Sequence, residues 1–544
     1  MHDLRIPTRK AAAAILLASA LPGYAASSLA LAPDAPDVPF KTETASGHEQ
    51  PTQLGVAPGP RDFGLPADAN LPLASTSPPI DSTHTYSLAE LIDLAQTLNP
   101  ETRVAWERAR QAALGVGIVK ALYLPALSAI AVGGGQRDTG STQAGSLPAL
   151  SDNGGLHGTV SSLALQWLIF DFGQRDALSQ AASQISLASN IAFNGTHQKI
   201  IFDVSRAFYE YTSARQRVAI ALQSKADSAH VRDAASDRYK QGIGTSVETA
   251  QANQLFAQAD FDVVQAEGAE RDAYHGLLAA VGMSPTAAIK IEDVSRRQLA
   301  PASFVPIEHL ISEAIARRPD IQASYAAARA ASANIKAAEA DLLPKVFLTA
   351  SDTYATGNIN LTSLPTIPSL SPAASASPTL SGAVPSTTSI PSTLNNISVN
   401  RNDATVLLGV AFPVYDGGVR DAQIDAARSH ADAAEATTQR LQQAAATEIV
   451  AADDALRSSL AGYRAAGVLV EASTVTEDAA LAAYKSGTGT VTASIEAERG
   501  LLAARLAQAQ THGTALIAAA TLAFSTGRLT SAEAADSGNL GPLR

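Results

Sequence analysis

Two stretches of this chain, 245 residues apart, carry the same sequence of structural signals, and that repetition restricts its fold more than any other feature. Phe170-Asp171-Phe-Gly173-Gln-Arg175 is echoed by Tyr415-Asp416-Gly-Gly418-Val-Arg420. Tyr239-Lys-Gln-Gly242-Ile-Gly244 is echoed by Tyr484-Lys-Ser-Gly487-Thr-Gly489. Upstream, Asn99-Pro100 and Leu124-Pro125 return as Arg318-Pro319 and Leu343-Pro344, at an offset of 219. The chain is a duplication, so one supersecondary unit must be built twice. The offset grows by 26 residues between Pro344 and Asp416, across the stretch 353–400, which has six prolines and no charge. The second copy thus carries a longer Ser/Thr/Pro loop, placed at 357–402. Its counterpart in the first copy, 137–156, is shorter and Gly/Ser-rich.

Each copy reads in the same order. Ser87 with Glu90 three residues on is a capping box for a helix that Asn99-Pro100 stops. A second helix follows over about 101–122. Strand-like runs occupy 126–136, 157–170, 345–356 and 403–414. In 403–414, Ala404, Val406, Leu408, Val410 and Phe412 share one face. Then come proline-free helices, Gln174–Lys240 and Val419–Lys485, each about 100 Å long at 1.5 Å per residue. In the first, Ile200, Val204, Ala207, Tyr211, Ala214, Val218 and Ala221 step by alternating fours and threes, a coiled-coil seam. Its many alanines let helices approach closely. Gly242 and Gly487 end these helices, and return helices over 247–281 and 492–524 end at Gly282 and Gly527. The division is a leader at 1–26, an extension at 27–84, a first repeat at 85–300, a second at 301–528, and a tail at 529–544.

Arg5, Arg9 and Lys10, the apolar run Ala11–Leu21 and small residues near Ala25 predict a cleaved secretory signal peptide. Residues 27–84, rich in Pro, Ala, Asp, Ser and Thr, predict disorder. The net charge of -12 and the lack of a basic cluster argue against nucleic acid as a partner. With no cysteine, disulfides, thiolate metal sites, thiol catalysis and a lipid on an N-terminal cysteine are not expected. No apolar run reaches membrane-spanning helix length. No H-E-x-x-H, G-x-S-x-G or G-x-x-x-x-G-K-[ST] occurs, and the histidines are scattered. No catalytic residue, metal site or cofactor is therefore assigned, and the chain is not read as an enzyme.

The four strand candidates suit either soluble hairpins or a transmembrane β-barrel. Four strands cannot close a barrel, and an open edge cannot sit in lipid. In the second case several chains must pool their strands, with the helices continuing as a tube. Export, acidity and helix length then indicate an outer-membrane protein reaching across the periplasm.

The paired set resembles the TolC-type outer-membrane efflux protein family over about residues 85–528. Its carriers are Ser87–Ala95 with Asn99-Pro100, the Leu-Pro corners, the Asp-x-Gly turns and the Tyr-x-x-Gly tips. The resemblance implies an internally duplicated α+β membrane fold. It would be a homotrimer whose twelve-stranded barrel, four strands per chain, sits in outer-membrane lipid and continues as an α-helical coiled-coil barrel across the periplasm. It implies passive conduction in a tripartite efflux pump or type I secretion system, with a periplasmic adaptor and, through it, an inner-membrane pump as partners. It places adaptor docking at Tyr239, Gly242, Ile243, Gly244 and Thr245, and at Tyr484, Gly487, Thr488, Gly489 and Thr490. It makes Glu248 and Glu496 candidates for an acidic periplasmic gate, each equally readable as a solvated helix charge. Ala493 and Gly489 depart from the family's acidic ring and locking arginine. Asp171, Gly173, Asp416 and Gly418 mark the strand-to-helix turns, with Asp171 and Asp416 expected to cap the helices. Arg175 and Arg420 are expected to be solvated first-turn arginines, with a rim contact as the alternative. A non-conducting, envelope-spanning structural or adhesive coiled coil is the competing reading of the whole. A third reading, the adaptor itself, would need lipoyl-like β halves, which are absent from the pattern.

Overall fold

The computed structural model describes residues 81–137, 155–295, 299, 306–357 and 401–529. The expected leader and nearly all of the extension, most of the 357–402 loop and nearly all of the tail lie outside them. The described elements are β1 (Thr85–Tyr86), α1 (Leu88–Leu98), α2 (Pro100–Ala121), β2 (Ala126–Arg137), β3 (Gly155–Phe170), α3 (Gln174–Lys240) and α4 (Ser246–Val281). They continue as β4 (Lys290–Ile291), α5 (Ile307–Arg317), α6 (Pro319–Ala340), β5 (Lys345–Gly357), β6 (Arg401–Ala411), α7 (Val419–Ser486) and α8 (Val491–Ser525). Residues 81–84, assigned to the extension by sequence, form an ordered turn in which Asp81 accepts from Thr83 and His84 meets Glu90.

The long helices start and stop where their punctuation says. Ser87 and Glu90 make the reciprocal capping box at the start of α1. Asn99 caps α2 by accepting from the Glu101 amide, with Pro100 in the first helical turn. α3 spans 67 residues and α7 spans 68. The predicted seam is real: Ile200, Val204, Tyr211, Ala214 and Ala221 are buried, Ala207 and Val218 half-buried. It continues through Ser224, Ser228, Val231 and Ala235, turning polar midway.

The main sheet has the order β2-β3-β5-β6, antiparallel throughout. The middle pairing, β3 with β5, joins the two repeats. β2 and β6 are its free edges within the chain. β6 ends at Ala411 rather than at 414, because Pro413 cannot donate to a ladder. Phe412 therefore lies beyond the strand face to which its alternation assigned it.

A compact core fastens α1 to α3, α4 and α8. Leu91, Ile92, Ile200, Val204, Phe208, Leu277, Leu278 and Val281 are fully buried there. Each contributes about 1.5–3 kcal/mol of apolar burial. The duplication extends to individual contacts. The Asn99 amide donates to the Ala280 carbonyl, and at the matching place Arg318 donates to the Ser525 carbonyl. Gly282 packs on the Asn99 backbone as Gly527 packs on that of Arg317 and Arg318.

Candidate functional site at the paired helical tips

The tips are built from a fixed chemistry used twice. α3 ends as Gly242 takes φ +75°, and α7 ends as Gly487 takes φ +81°. Only glycine adopts this region without strain. Two residues on, Gly244 and Gly489 donate to the carbonyls of Arg238 and Ala483. A Cβ at Gly244 would stand 2.9 Å from the Tyr239 nitrogen, and one at Gly489 3.0 Å from the Tyr484 nitrogen. The second glycine is thus required by space, the first by backbone angle. Any side chain at 489 would require the turn to give by a few tenths of an ångström. Thr245 and Thr490 then cap the return helices, accepting from the amides of Glu248 and Ala493.

Equivalent in backbone, the tips are unlike in surface. Tyr239 is 52% exposed and Tyr484 only 1%. Ile243 and Val247 are also exposed, so the first tip presents an apolar end. Thr488 and Thr490 of the second tip are exposed with Gly487. Tyr484 is turned inward, where the Arg238 guanidinium lies 5.1 Å from its ring centroid. Arg238 also donates to the Tyr484 carbonyl at 3.2 Å and to the Ile243 carbonyl at 3.4 Å. The Tyr484 hydroxyl donates to Glu248 at 3.3 Å. Burial, with the Glu248 carboxylate adding to it, pushes the Tyr484 phenol above its ordinary range. Of the two gate candidates, Glu248 is therefore half-buried in a brace that ties the tips together, and Glu496 is exposed on α8. Sequence reasoning treated Tyr239 and Tyr484 alike. Nothing in either tyrosine's local sequence reveals that Arg238 and Glu248 enclose only one.

At the other end of α3, the solvated-arginine expectation fails for Arg175, which is 6% exposed. It pairs with Asp171 at 2.9 Å and donates to the carbonyls of Leu122, Leu168 and Ile169. Its guanidinium lies 4.6 Å from the Tyr123 ring centroid. The reason is geometric: the turn leaves strand-end carbonyls facing inward with no ladder partner, and a guanidinium has enough donors to satisfy several. Arg420 is also held, by Asp416 at 2.8 Å and Asp341 at 2.9 Å, but stays more accessible. Asp171 and Asp416 accept from the amides of Arg175 and Arg420, satisfying first-turn donors from outside the helix, because Gly173 and Gly418 occupy the capping position at φ +96° and +86°. Phe172 precedes Gly173 at φ +52°, where the second repeat has Gly417.

One buried acid was missed by sequence. Glu498, two residues from Glu496 and 1% exposed, accepts from the Ser224 hydroxyl at 2.7 Å. Val491, Ser494, Ile495, Glu498 and Leu501 follow a three-four spacing on α8, so the seam register could have found it.

No helix among the described residues is long and apolar enough to cross a membrane. No group of three or more metal-ligating side chains occurs among them. The sequence model of the family described as outer membrane efflux protein matches residues 91–283 and 310–528. Protein CyaE of Bordetella pertussis is 27% identical over 460 residues, covering 81% of this chain and 85% of that protein. Outer membrane protein OprJ of Pseudomonas aeruginosa is 25% identical over 416 residues, covering 76% and 78%. A crystal structure of CusC, described in terms of transmembrane channel formation, superposes with a TM-score of 0.65 at 18% identity, covering 81% of this chain and 92% of that one.

Proposed function

Because the chain belongs to the outer membrane efflux protein family, and is thus an outer-membrane channel component of an efflux or secretion system, we propose that three copies form one conduit. In this reading each copy contributes four strands to a twelve-stranded barrel in outer-membrane lipid, and its helices to a periplasmic tunnel. It moves substrate passively and performs no catalysis.

The observation that carries this reading is the mismatch between the repeats' inner and outer flanks. α6 packs on α3, and α8 packs on α3. The matching pairs by repeat symmetry, α2 with α7 and α4 with α7, have no comparable packing within one chain. Leu114 and Ile118 on α2 are exposed where their counterparts Ala333 and Ala337 on α6 are buried. Phe261 and Val264 on α4, and Leu469 on α7, are exposed as well. The free edges β2 and β6 are the counterparts of β5 and β3, which pair inside the chain. One flank thus complements the other, which is the condition for a head-to-tail ring. An open four-stranded sheet is not viable in lipid, so the ring must close.

At the periplasmic end, we place adaptor docking on Tyr239, Gly242, Ile243, Gly244 and Thr245, with Gly487, Thr488, Gly489 and Thr490 beside them. Tyr484 serves as the internal brace with Arg238 and Glu248. Glu496 is the acidic residue left to face the entrance. The inner-membrane pump is reached through the adaptor. The test is conductance of the purified, folded oligomer in planar bilayers, with Glu496→Ala beside wild type. Discrete pores are expected, with weakened cation preference in the variant. Well-folded oligomers that never conduct would favour the structural, non-conducting reading.

A further inference from the structure

Between α3 and α8, about eleven residues up from the second tip, lies a charged cluster buried within the helical packing. Glu498 of α8 accepts from Ser224 of α3 through Oε1, while its Oε2 is buried without a hydrogen-bond partner among the described residues. Ser494, one turn earlier on α8, is 1% exposed, and its hydroxyl oxygen is likewise buried and unpartnered. Two orphaned oxygens on one helical turn are costly as they stand. The ionised form of Glu498 keeps its charge on a buried oxygen that no donor reaches, the costlier state of the side chain; the neutral acid carries no such charge into the packing.

The surroundings favour the neutral acid. From α3, Asp227 faces the cluster; from α7, Glu477 does, with Asp478 and Lys485 acting on it. Arg505 of α8 is the cation within reach, and it is held by Asp227 at 3.1 Å. Towards α4, Lys225 is paired with Asp260. One guanidinium therefore meets three carboxylates. Burial pushes the Glu498 carboxyl up to about 7; Ser224 and Arg505 oppose the rise, and Asp227 and Glu477 add to it. Burial likewise raises Glu477, with Asp227 and Asp478 reinforcing it.

We propose that Glu498 is a proton-operated latch: as the buried acid bonded to Ser224 it lets α8 pack closely on α3 above the tips, and as the carboxylate, with an unpartnered oxygen among Asp227 and Glu477, it loosens that packing. This rests on the channel reading for its consequence, since α8 is the return arm of the second tip and its release loosens the entrance. The sign follows from the raised proton affinity of the packed state. The clamp is complete below the unfolded carboxylate value of 4.5 and fades as pH rises through about 7.

The test uses the full chain as purified oligomer in detergent, with amide exchange read by mass spectrometry over segments 491–505 and 218–232. Wild type and Glu498→Gln are compared at matched pH, so intrinsic exchange chemistry cancels. At pH 5 the two should agree. At pH 8 wild type should exchange on the order of a hundredfold faster, since the amide cannot ionise. Glu498→Leu, also uncharged, serves if the amide variant misfolds. Equal protection at pH 8, or greater protection of wild type, overturns the latch. In bilayers, open probability should rise from pH 5 to pH 8 in wild type and stay flat in Glu498→Gln. A pH-independent wild-type pore overturns the latch, whereas oligomers silent at every pH overturn the channel reading and leave exchange to judge the latch.

Discussion

Replacing Arg175 by methionine should destabilise the fold far more than the same change at Arg420, although duplication gives the two arginines one address. Methionine keeps most of the aliphatic stem, so the comparison isolates the guanidinium. At Arg175 its removal leaves the buried Asp171 carboxylate with the backbone amide of residue 175 as its remaining hydrogen-bond donor among the described residues. It strips donors from three carbonyls at the end of β3 and α2, and ends a ring contact with Tyr123. Breaking a buried ion pair by removing one partner costs about 3–5 kcal/mol, because the survivor stays desolvated and unpaired. At Arg420 the survivors are better placed. Asp341 keeps Lys345 and Gln174, and Asp416 keeps the amides of Gly418 and Arg420. More accessible pairs of this kind are worth about 1 kcal/mol each at most, so the loss is about 1–2 kcal/mol. The helix signal in circular dichroism, followed against denaturant or temperature in detergent, should show Arg175→Met shifting the midpoint roughly twice as far as Arg420→Met or more. Equal shifts, or a larger one at Arg420, would refute the argument that burial of the first junction sets the difference. Arg175→Lys should rescue little, since an ammonium cannot span the same carbonyls and carboxylate.

Other consequences are simpler. Gly115 lies inside α2 with open space around its Cβ position, so Gly115→Ala should stabilise by about 0.5–1 kcal/mol, whereas Gly244→Ala meets the Tyr239 nitrogen and should destabilise the first tip, both measurable as shifts in unfolding midpoint. Burial works against the charge on Asp341, but Lys345, Arg420 and Gln174 together hold its carboxyl below the ordinary range. Its contribution is therefore complete above the unfolded value near 3.8 and lost as pH falls through the lower folded value, and acid titration of Asp341→Asn should show less of this low-pH loss than wild type. Tyr484→Phe keeps the Arg238 ring contact but frees Glu248, at a cost of about 1 kcal/mol. It should raise open probability in bilayers, and an unchanged pore would mean the brace does not limit opening.

Helix ends, strand order within each repeat and the duplication were legible because each is written locally. A glycine that must take positive φ, a proline that must follow a cap and a two-residue alternation are properties of neighbours in sequence. The misreadings concern what comes from elsewhere in the fold. Arg175 looked like a solvated first-turn residue because the carbonyls it satisfies belong to residues 122, 168 and 169, brought together only by the turn. Tyr484 looked like Tyr239 because Arg238 and Glu248, which separate them, lie some 240 residues away in the chain. Glu496 drew attention over Glu498 because the family resemblance aligned it with the acidic entrance, and two residues apart on a helix point to nearly opposite faces.

The same comparison explains why one acid could become a latch without burdening the whole assembly. By repeat symmetry, Ser224, Asp227, Glu477, Ser494, Glu498 and Arg505 correspond to Leu469, Ala472, Arg232, Thr249, Asn253 and Asp260. Of the second set, Leu469 is exposed in the single chain, and Arg232 stacks on Phe256 and pairs with Asp233. The counterpart interface, α4 against α7, thus has asparagine where the latch has its acid, and leucine where the latch has its serine. In the proposed ring, a buried carboxylate at every seam would make closure itself depend on pH, because each copy would meet the next across an ionisable pair. The acid is confined to α3 against α8, which pack within one chain. Proton sensitivity then falls on the packing of α8, the helix that carries the second tip, within one chain.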